Sequence, residues 1–151
     1  RRAEGYPYIY KWRDAEDAIN AMEPADWDPY EGFALEYVDP VSGGPTLPTI
    51  ACRLYRLPAG RSTLRQRETS NRIYHVVRGA GRSIAEAKSL DWQAGDTFVV
   101  PGWSWSEHRA GTDALLFAMS DEPLLRATCL YRRERAGDNA PKLGAEGRSH
   151  A

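Results

Sequence analysis

The sequence predicts an all-β domain, because segments rich in Val, Ile, Leu, Phe, Tyr or Thr alternate with glycine and proline between residues 49 and 131. No helical repeat of apolar residues competes in that region. Short strands at spacings of about 10 to 20 residues, separated by turn residues, are typical of an antiparallel sandwich or a small barrel. The predicted strands cover residues 50–57, 72–78, 97–100, 114–119 and 128–133.

An irregular arm with one short helix, residues 1–48, is predicted ahead of this β region. Apolar residues recur at the spacing of one helix face between residues 14 and 22. We expect the carboxylate of Asp14 to cap the helix at its N-terminus, and Pro24 to end it. A run dense in turn residues, 38–45, then predicts an ordered loop between extended segments.

The β-barrel is expected to span residues 49–135 and to be followed by a tail, residues 136–151. The tail has almost no large apolar side chain and is expected to be mobile or bound to a partner. The chain begins with Arg1 rather than Met, which suggests a processed chain or a piece of a longer one.

The composition excludes several classes of protein. A length of 151 residues with 42% apolar residues fits a single globular domain. The net charge of −1 makes nucleic acid or an anionic membrane surface a poor candidate partner. Neither a membrane-spanning run nor a signal peptide is recognisable, so we expect a cytoplasmic protein.

The two cysteines, Cys52 and Cys129, lie far apart and do not have the paired spacing of a zinc site or a redox motif. Each lies in a strand-like run, where a buried and inert thiol is expected. A catalytic cysteine is disfavoured, because no histidine is adjacent to either one in the sequence.

Two glycine-framed segments, residues 60–79 and 95–108, resemble the two signature motifs of the cupin superfamily. In that family two histidines, one residue apart, and a glutamate bind a metal from the first motif, and the matching positions here hold Gln66, Glu68 and Arg72. The second motif has Ser106 in place of its metal-binding histidine. The resemblance implies a double-stranded β-helix, a jelly-roll-like barrel, in which every usual ligand has been replaced.

The replaced residues point to a polar interior without metal. Side chains two positions apart on a strand face the same side, so Gln66 and Glu68 should both point inward. An amide and a hydroxyl are poor ligands for Fe(II), Mn(II) or Zn(II), and the charge of Arg72 repels a cation. We expect Arg72 to pair with Glu68, while Gln66 and Ser106 supply hydrogen bonds. The expected cavity residues are Gln66, Glu68, Arg72, Tyr74, Ser106 and His108.

A more specific resemblance, covering about residues 6–134, is to the C-terminal half of gentisate 1,2-dioxygenases. It includes the run DPVSGGP at residues 39–45, which is far more specific than the cupin glycines. The other matching runs are residues 28–32, 72–83, 95–101, 120–123 and 130–132, together with Asp91, Trp92, Trp103, Trp105, Glu107, His108, Leu116 and Phe117.

This resemblance implies a bicupin parent, usually tetrameric, in which Fe(II) in the N-terminal cupin opens gentisate with O2 to maleylpyruvate. The parent would be an enzyme whose partners are its N-terminal cupin domain, further copies and an aromatic acid substrate. The present chain would be a metal-free domain for packing and oligomerisation, inactive alone, with no iron ligand carried over. One alternative is a stand-alone module that binds a small carboxylate, and another is a small metalloenzyme that uses Glu68 and His108.

The three histidines have different expected positions. His108 lies two residues after Ser106 and should share its face, either in a satisfied polar position or in a weak metal site with Glu68 and Gln66. His75 is out of register with Arg72, so it should face a neighbouring sheet or subunit. His150 belongs to the tail.

Two further groups of side chains, a tryptophan pair and an arginine cluster, are candidates for ligand binding. Trp103 and Trp105 share one face of an extended segment, where core or interface packing is more expected than an aromatic ligand platform. The arginines could bind an anion, but the interleaved Glu68 and other nearby acidic residues disfavour that use. They are Arg61, Arg65, Arg67 and Arg72.

Overall fold

Two five-stranded antiparallel sheets pack face to face in the computed structural model, which describes residues 9–137. The strands are β1 (Phe33–Tyr37), β2 (Ala51–Leu57), β3 (Gln66–Glu68), β4 (Arg72–Arg78), β5 (Ala80–Ala85), β6 (Lys88–Gln93), β7 (Thr97–Val100), β8 (Ser106–Ala110), β9 (Ala114–Ser120) and β10 (Arg133–Arg135). The first sheet has the order β1-β2-β9-β4-β7 and the second the order β10-β3-β8-β5-β6. The all-β prediction is confirmed, although the described strands form two sheets and not one closed barrel.

The core between the sheets follows from the two-residue repeat of the strands. In β4, Arg72, Tyr74 and Val76 are buried, while Ile73 and His75 between them are exposed. The ring of Tyr74 stacks on Phe98 with centroids 4.9 Å apart, and Phe98 stacks on Trp92 of the opposite sheet at 6.2 Å. These aromatic side chains join the two layers.

One helix, α1 (Trp12–Asn20), covers part of the outer face of the first sheet. Its buried residues, Ala15 and Ile19, pack against Leu54 and Leu115. The predicted cap is wrong: Lys11 holds the N-cap position, and Asp14 lies inside the first turn. Helix ends depend on backbone geometry, so an acidic residue near the start is a weak guide to the cap itself.

The predicted strands agree with the structure in four of the five cases. β4 and β7 have the predicted bounds, and β2 and β9 differ by one residue at one end. The fifth, residues 128–133, is wrong. The chain there leaves a second helix, α2 (Glu122–Ala127), whose end is closed by a bond from Thr128 Oγ1 to the Leu124 carbonyl.

The remaining elements were not predicted, because they are short, polar or interrupted by glycine. They are β1, β3, β5, β6, β8, β10, α2 and a single 3₁₀ turn, Pro24–Asp26. β1 lies inside the arm and pairs along its whole length with β2. One edge strand of the first sheet therefore comes from a segment that is predicted from the sequence to be irregular.

The two cysteines differ in their surroundings. Cys52 lies on β2 and is partly buried, and the expected strand position is confirmed. Cys129 is exposed at the turn after α2 with φ of +59°, so the expected buried strand position is wrong. Both thiols are free of disulfide bonds.

The predicted ordered loop at residues 38–45 is confirmed by its own hydrogen bonds. The carboxylate of Asp39 accepts a bond from Val41 N at 2.8 Å, and the Asp39 carbonyl accepts one from Gly43 N at 2.7 Å. Gly43 has φ of +70°, a conformation that glycine adopts without steric cost. The loop closes through a bridge between Val38 and Pro45.

Most of the predicted tail, including His150, lies outside the described residues, as do residues 6–8 of the resembling stretch. Ala136 is described: its amide donates to the Arg65 carbonyl, and its carbonyl accepts a bond from Tyr30 Oη at 2.7 Å. Between residues 9 and 137 there is no helix with the length and apolar character needed to cross a membrane.

Candidate functional site

Arg72 lies at the centre of the interior polar site, since β4 directs its side chain between the two sheets. Its Nη1 and Nη2 atoms donate to the two carboxylate oxygens of Glu31 at 2.8 and 3.1 Å, a bidentate pair. Its Nε atom faces Oε1 of Glu68, so the predicted pair of Arg72 with Glu68 is present. Nη1 also donates to Tyr55 Oη at 3.0 Å. The guanidinium is therefore enclosed by acceptors, and Arg72 is only 5% exposed.

Glu31 enters this site from the arm and has no counterpart in the sequence prediction. It lies in a turn where Asp28 Oδ1 accepts bonds from the Tyr30 and Glu31 amides. Burial alone would raise the pKa of Glu31, but the charge and hydrogen bonds of Arg72 and a bond from Gln66 lower it to about 2. Glu31 is therefore a carboxylate at neutral pH.

Gln66 and Glu68 both point inward, as their spacing predicts, and both are buried. Gln66 Nε2 donates to Glu31 Oε1 at 2.8 Å. Glu68 Oε2 accepts a bond from Tyr131 Oη at 2.8 Å. Burial, and next the charge of Glu68, raise the pKa of Tyr131, so it stays a proton donor. Glu31 thus has hydrogen bonds on both of its oxygens, whereas Glu68 has a hydrogen bond on Oε2 and the ion pair with Arg72 on Oε1.

Tyr74 and Ser106 complete this side of the interior. Tyr74 Oη lies 3.4 Å from Arg72 Nη1, and burial raises the pKa of Tyr74 to about 12. Ser106 is buried on β8, directly across the ladder from Gln66. Gln66 supplies a hydrogen bond, as expected, and the acceptor is Glu31 of the arm.

His108 belongs to a separate hydrogen-bonded chain. Its Nδ1 atom lies 2.6 Å from Ser83 Oγ, and that oxygen accepts a bond from Trp92 Nε1 at 2.9 Å. Since Ser83 accepts from Trp92, its own hydroxyl hydrogen is available to donate to a neutral imidazole. Burial lowers the pKa of His108 to about 4, which favours that neutral form.

The side chains of Glu68, Gln66 and His108, the candidates for a weak metal site, do not converge on one point. Glu68 is engaged by Arg72 and Tyr131, while His108 is bonded to Ser83. Within residues 9–137 no group of three or more His, Cys, Asp and Glu side chains is placed to hold a metal ion. At the cupin ligand positions, a guanidinium paired with two carboxylates is a set of side chains that does not fit Fe(II).

The cavity beside this network is small. It is lined in part by Gln66, Ser70 and Ser106, and offers about 10 Å³ to the centre of a water molecule. Gln66 Oε1 and Ser70 Oγ are buried in it without a protein partner. A volume near 10 to 15 Å³ on this measure holds about one water and leaves no room for an organic carboxylate.

The remaining predicted residues lie away from the interior. His75 faces outward, as predicted, with Nδ1 3.0 Å from Thr97 Oγ1. Trp103 and Trp105 do not enter the core: both rings flank the guanidinium of Arg67, at 4.3 and 4.8 Å from the ring centroids. Arg67 also donates to Glu134, which leaves no open aromatic platform there.

The four arginines of the predicted cluster each contact a different aromatic or acidic partner and do not form one site. Arg61 lies over the ring of Trp27 at 4.3 Å, and Arg65 pairs with Glu107 at 3.7 Å. Arg67 and Arg72 have acidic partners of their own. These contacts do not create an anion site from the four side chains.

Comparison with known proteins found similarity over most of the chain. No family model matches. The 5-aminosalicylate 1,2-dioxygenase of Comamonas sp is 38% identical over 135 residues, which are 87% of this chain and 36% of that protein. The gentisate 1,2 dioxygenase 1 of Aquipseudomonas alcaligenes is 35% identical over 129 residues, 85% of this chain and 37% of that protein.

A solved structure agrees with the sequence matches. The salicylate 1,2-dioxygenase of Pseudaminobacter salicylatoxidans superimposes with a TM-score of 0.78 at 30% identity, over 85% of this chain and 38% of its own. The cupin fold is thereby confirmed. The chain spans little more than a third of the length of these relatives, which agrees with the resemblance to a single, C-terminal cupin domain.

Proposed function

Because the chain is homologous to a cupin domain of the gentisate and salicylate 1,2-dioxygenases, we propose that it is the metal-free, structural domain of a longer ring-cleaving dioxygenase. In this proposal the ring cleavage takes place in a separate N-terminal cupin that holds Fe(II). The substrate of the whole protein is an aromatic acid of the gentisate or salicylate type, and several copies assemble. This domain contributes packing and assembly surfaces rather than reacting groups.

The observation that carries the proposal is the position of Arg72. A guanidinium stands among the residues that replace the cupin ligands, and both carboxylates near it are hydrogen-bonded. A divalent cation would have to displace a buried arginine and leave its charge unpaired, which costs several kcal/mol. The pairs within this network support a purely structural interior.

The metal content of the full chain tests this proposal. The purified protein is incubated anaerobically with Fe(II), desalted and analysed for iron per chain, and a full-length gentisate 1,2-dioxygenase passes through the same steps as a loading control. We expect iron near zero and no consumption of gentisate or salicylate. Iron near one per chain, or turnover by this chain alone, would show that the domain is not metal-free.

A stand-alone module that binds a small carboxylate has less support. Its proposed anchor, Arg72, is already bound to Glu31 and Glu68, and the adjoining cavity admits about one water. A thermal-shift series with benzoate, salicylate and gentisate separates the two functions, because a ligand that binds only the folded chain raises its Tm. We expect no saturable rise, and a saturable rise would favour the binding module.

A further inference from the structure

An unbroken row of apolar side chains crosses the outer face of the first sheet. The cross-strand partners run from Tyr37 through Cys52, Met119 and Ile73 to Val99, one residue from each of the five strands. Facing pairs in an antiparallel sheet project to the same side, so these five side chains form one surface. We call this row, with the adjacent groove described below, the apolar face.

Helix α1 covers only part of this side of the sheet. Leu54 and Leu115 are fully buried beneath it. Toward the β7 edge no described element lies over the row, and Ile73, Met119 and Val99 are 43%, 42% and 49% exposed. Clustered apolar side chains with this exposure are typical of a surface that another protein surface covers.

The outer face of the second sheet has the opposite character. Arg109 and Arg82 face each other across β8 and β5, and Arg82 pairs with Asp91 of β6. Arg67 and Glu134 form an ion pair on the same side. Charged side chains are stable in contact with water, so this face can remain exposed to solvent. The outer face of the first sheet, with its row of apolar side chains, is better suited to contact another protein surface.

A groove of about 510 Å³ adjoins the apolar row and extends it toward the start of the described chain. Ile9 and Trp12 form one wall, and Val77 and Phe117 form another. None of the side chains lining it is Asp, Glu, Lys or Arg. Such a surface offers no electrostatic attraction to nucleic acid or to anionic lipid.

We propose that the apolar face packs against the part of a longer polypeptide that precedes Ile9. This inference rests on the proposed function and adds the surface through which the domain meets its partner. The chain accounts for little more than a third of its relatives, so a large partner surface within the same polypeptide is expected. Because Ile9 itself lies in the groove, a preceding domain would be tethered beside the face at high effective concentration.

The two free cysteines allow this contact to be measured. Cys52 lies in the apolar row and lines the groove, whereas Cys129 is exposed after α2 and serves as an internal reference. The natural reading frame is expressed from its own start, and its labelling by N-ethylmaleimide is compared with that of the 151-residue chain. We expect the labelling rate of Cys52, relative to Cys129, to fall at least tenfold in the longer protein.

Matched variants link the protection to the face. Ile73→Lys places a charge in the apolar row, and Ile84→Lys places one on the charged face of the second sheet. In the longer protein, I73K should restore the labelling of Cys52, and I84K should not. The comparison of Cys52 labelling between the two lengths of the wild-type protein needs neither variant. It therefore still tests the inference if I73K does not fold.

Three results would overturn the inference. The natural frame could begin near Arg1, or Cys52 could label equally in the two lengths of protein. The 151-residue chain could also form a dimer by light scattering in which Cys52 is protected until dilution, and a second copy would then cover the face. Iron content is measured separately, so a failure here and a failure of the proposed function are distinguishable.

Discussion

Glu31 holds both Nη atoms of Arg72 across 41 positions of sequence, and this pair fastens the arm to the interior of the sandwich. A buried guanidinium requires a charged partner. Glu68, on β3 of the opposite sheet, supplies one carboxylate through Nε of Arg72. The second carboxylate comes from a turn that precedes β1. The arm is therefore part of the polar centre rather than an appendage to it.

Replacing Arg72 tests how strongly this centre depends on its cation. Arg72→Met should lower the free energy of unfolding by about 3–5 kcal/mol, because it leaves two buried carboxylates without their charge partner. Arg82→Met is the control, since the Arg82 and Asp91 side chains are 60% and 70% exposed, and it should cost about 0–1 kcal/mol. Urea denaturation measures both, and equal costs would contradict a central role for Arg72.

Acid should destabilise the protein through His108 first. Burial lowers the folded-state pKa of His108 to about 4 from 6.5, so the unfolded chain binds the proton more readily. Stability should therefore be complete above pH 6.5 and fall toward pH 4, by at most about 3 kcal/mol. Below pH 4.5 Glu31 adds a second loss, because Arg72 and Gln66 outweigh burial and lower its pKa to about 2.

Two histidine variants separate these contributions. His108→Asn keeps an acceptor near Ser83 but cannot be protonated, so it should flatten the stability profile between pH 6.5 and 4.5. His75→Asn removes an exposed histidine and should leave the slope in place. The profiles come from urea unfolding at successive pH values, and an unchanged slope in H108N would exclude His108 as its origin.

Gly81 should tolerate no side chain. A Cβ there would lie 2.3 Å from the Arg109 carbonyl oxygen and 2.4 Å from the Trp92 ring. Gly81→Ala should cost about 1–3 kcal/mol through overpacking. At Gly111 a Cβ meets only the Ala80 carbonyl oxygen at 3.4 Å, so Gly111→Ala should be nearly neutral in the same thermal unfolding assay. A Tm of G81A equal to that of G111A would contradict the close packing of β5 on β6.

The hydroxyl of Tyr131 should contribute through its bond to a buried carboxylate. Tyr131→Phe removes the donor to Glu68 Oε2 and should cost about 1.5–3 kcal/mol. Tyr30→Phe removes an exposed bond to the Ala136 carbonyl and should cost about 1 kcal/mol or less. Chemical denaturation compares the two, and a loss in Y131F no larger than that in Y30F would contradict the contribution of the Tyr131 bond to Glu68.

Local sequence pattern predicted four of the five strands of the first sheet well. β4 and β7 are rich in β-branched and aromatic residues, and β2 and β9 combine leucine with an aromatic residue. The bounds of all four agree with the sequence prediction within one residue. The inward direction of Gln66, Glu68 and Arg72 also followed from the two-residue repeat. Residues 128–133 have strand composition, yet the Leu130 and Tyr131 amides bond back to Leu125 and close the helix instead.

The sequence by itself determined the fold class, the strands with strong β propensity and the loss of the cupin ligands, because these depend on residue type and on spacing along one strand. Tertiary structure alone decided that Glu31 would neutralise Arg72, that His108 would bond Ser83, and that a row of apolar side chains would cross one outer face from edge to edge. Those outcomes depend on which distant segments meet and in which register. A change of one residue in register would turn each side chain to the opposite face of its sheet.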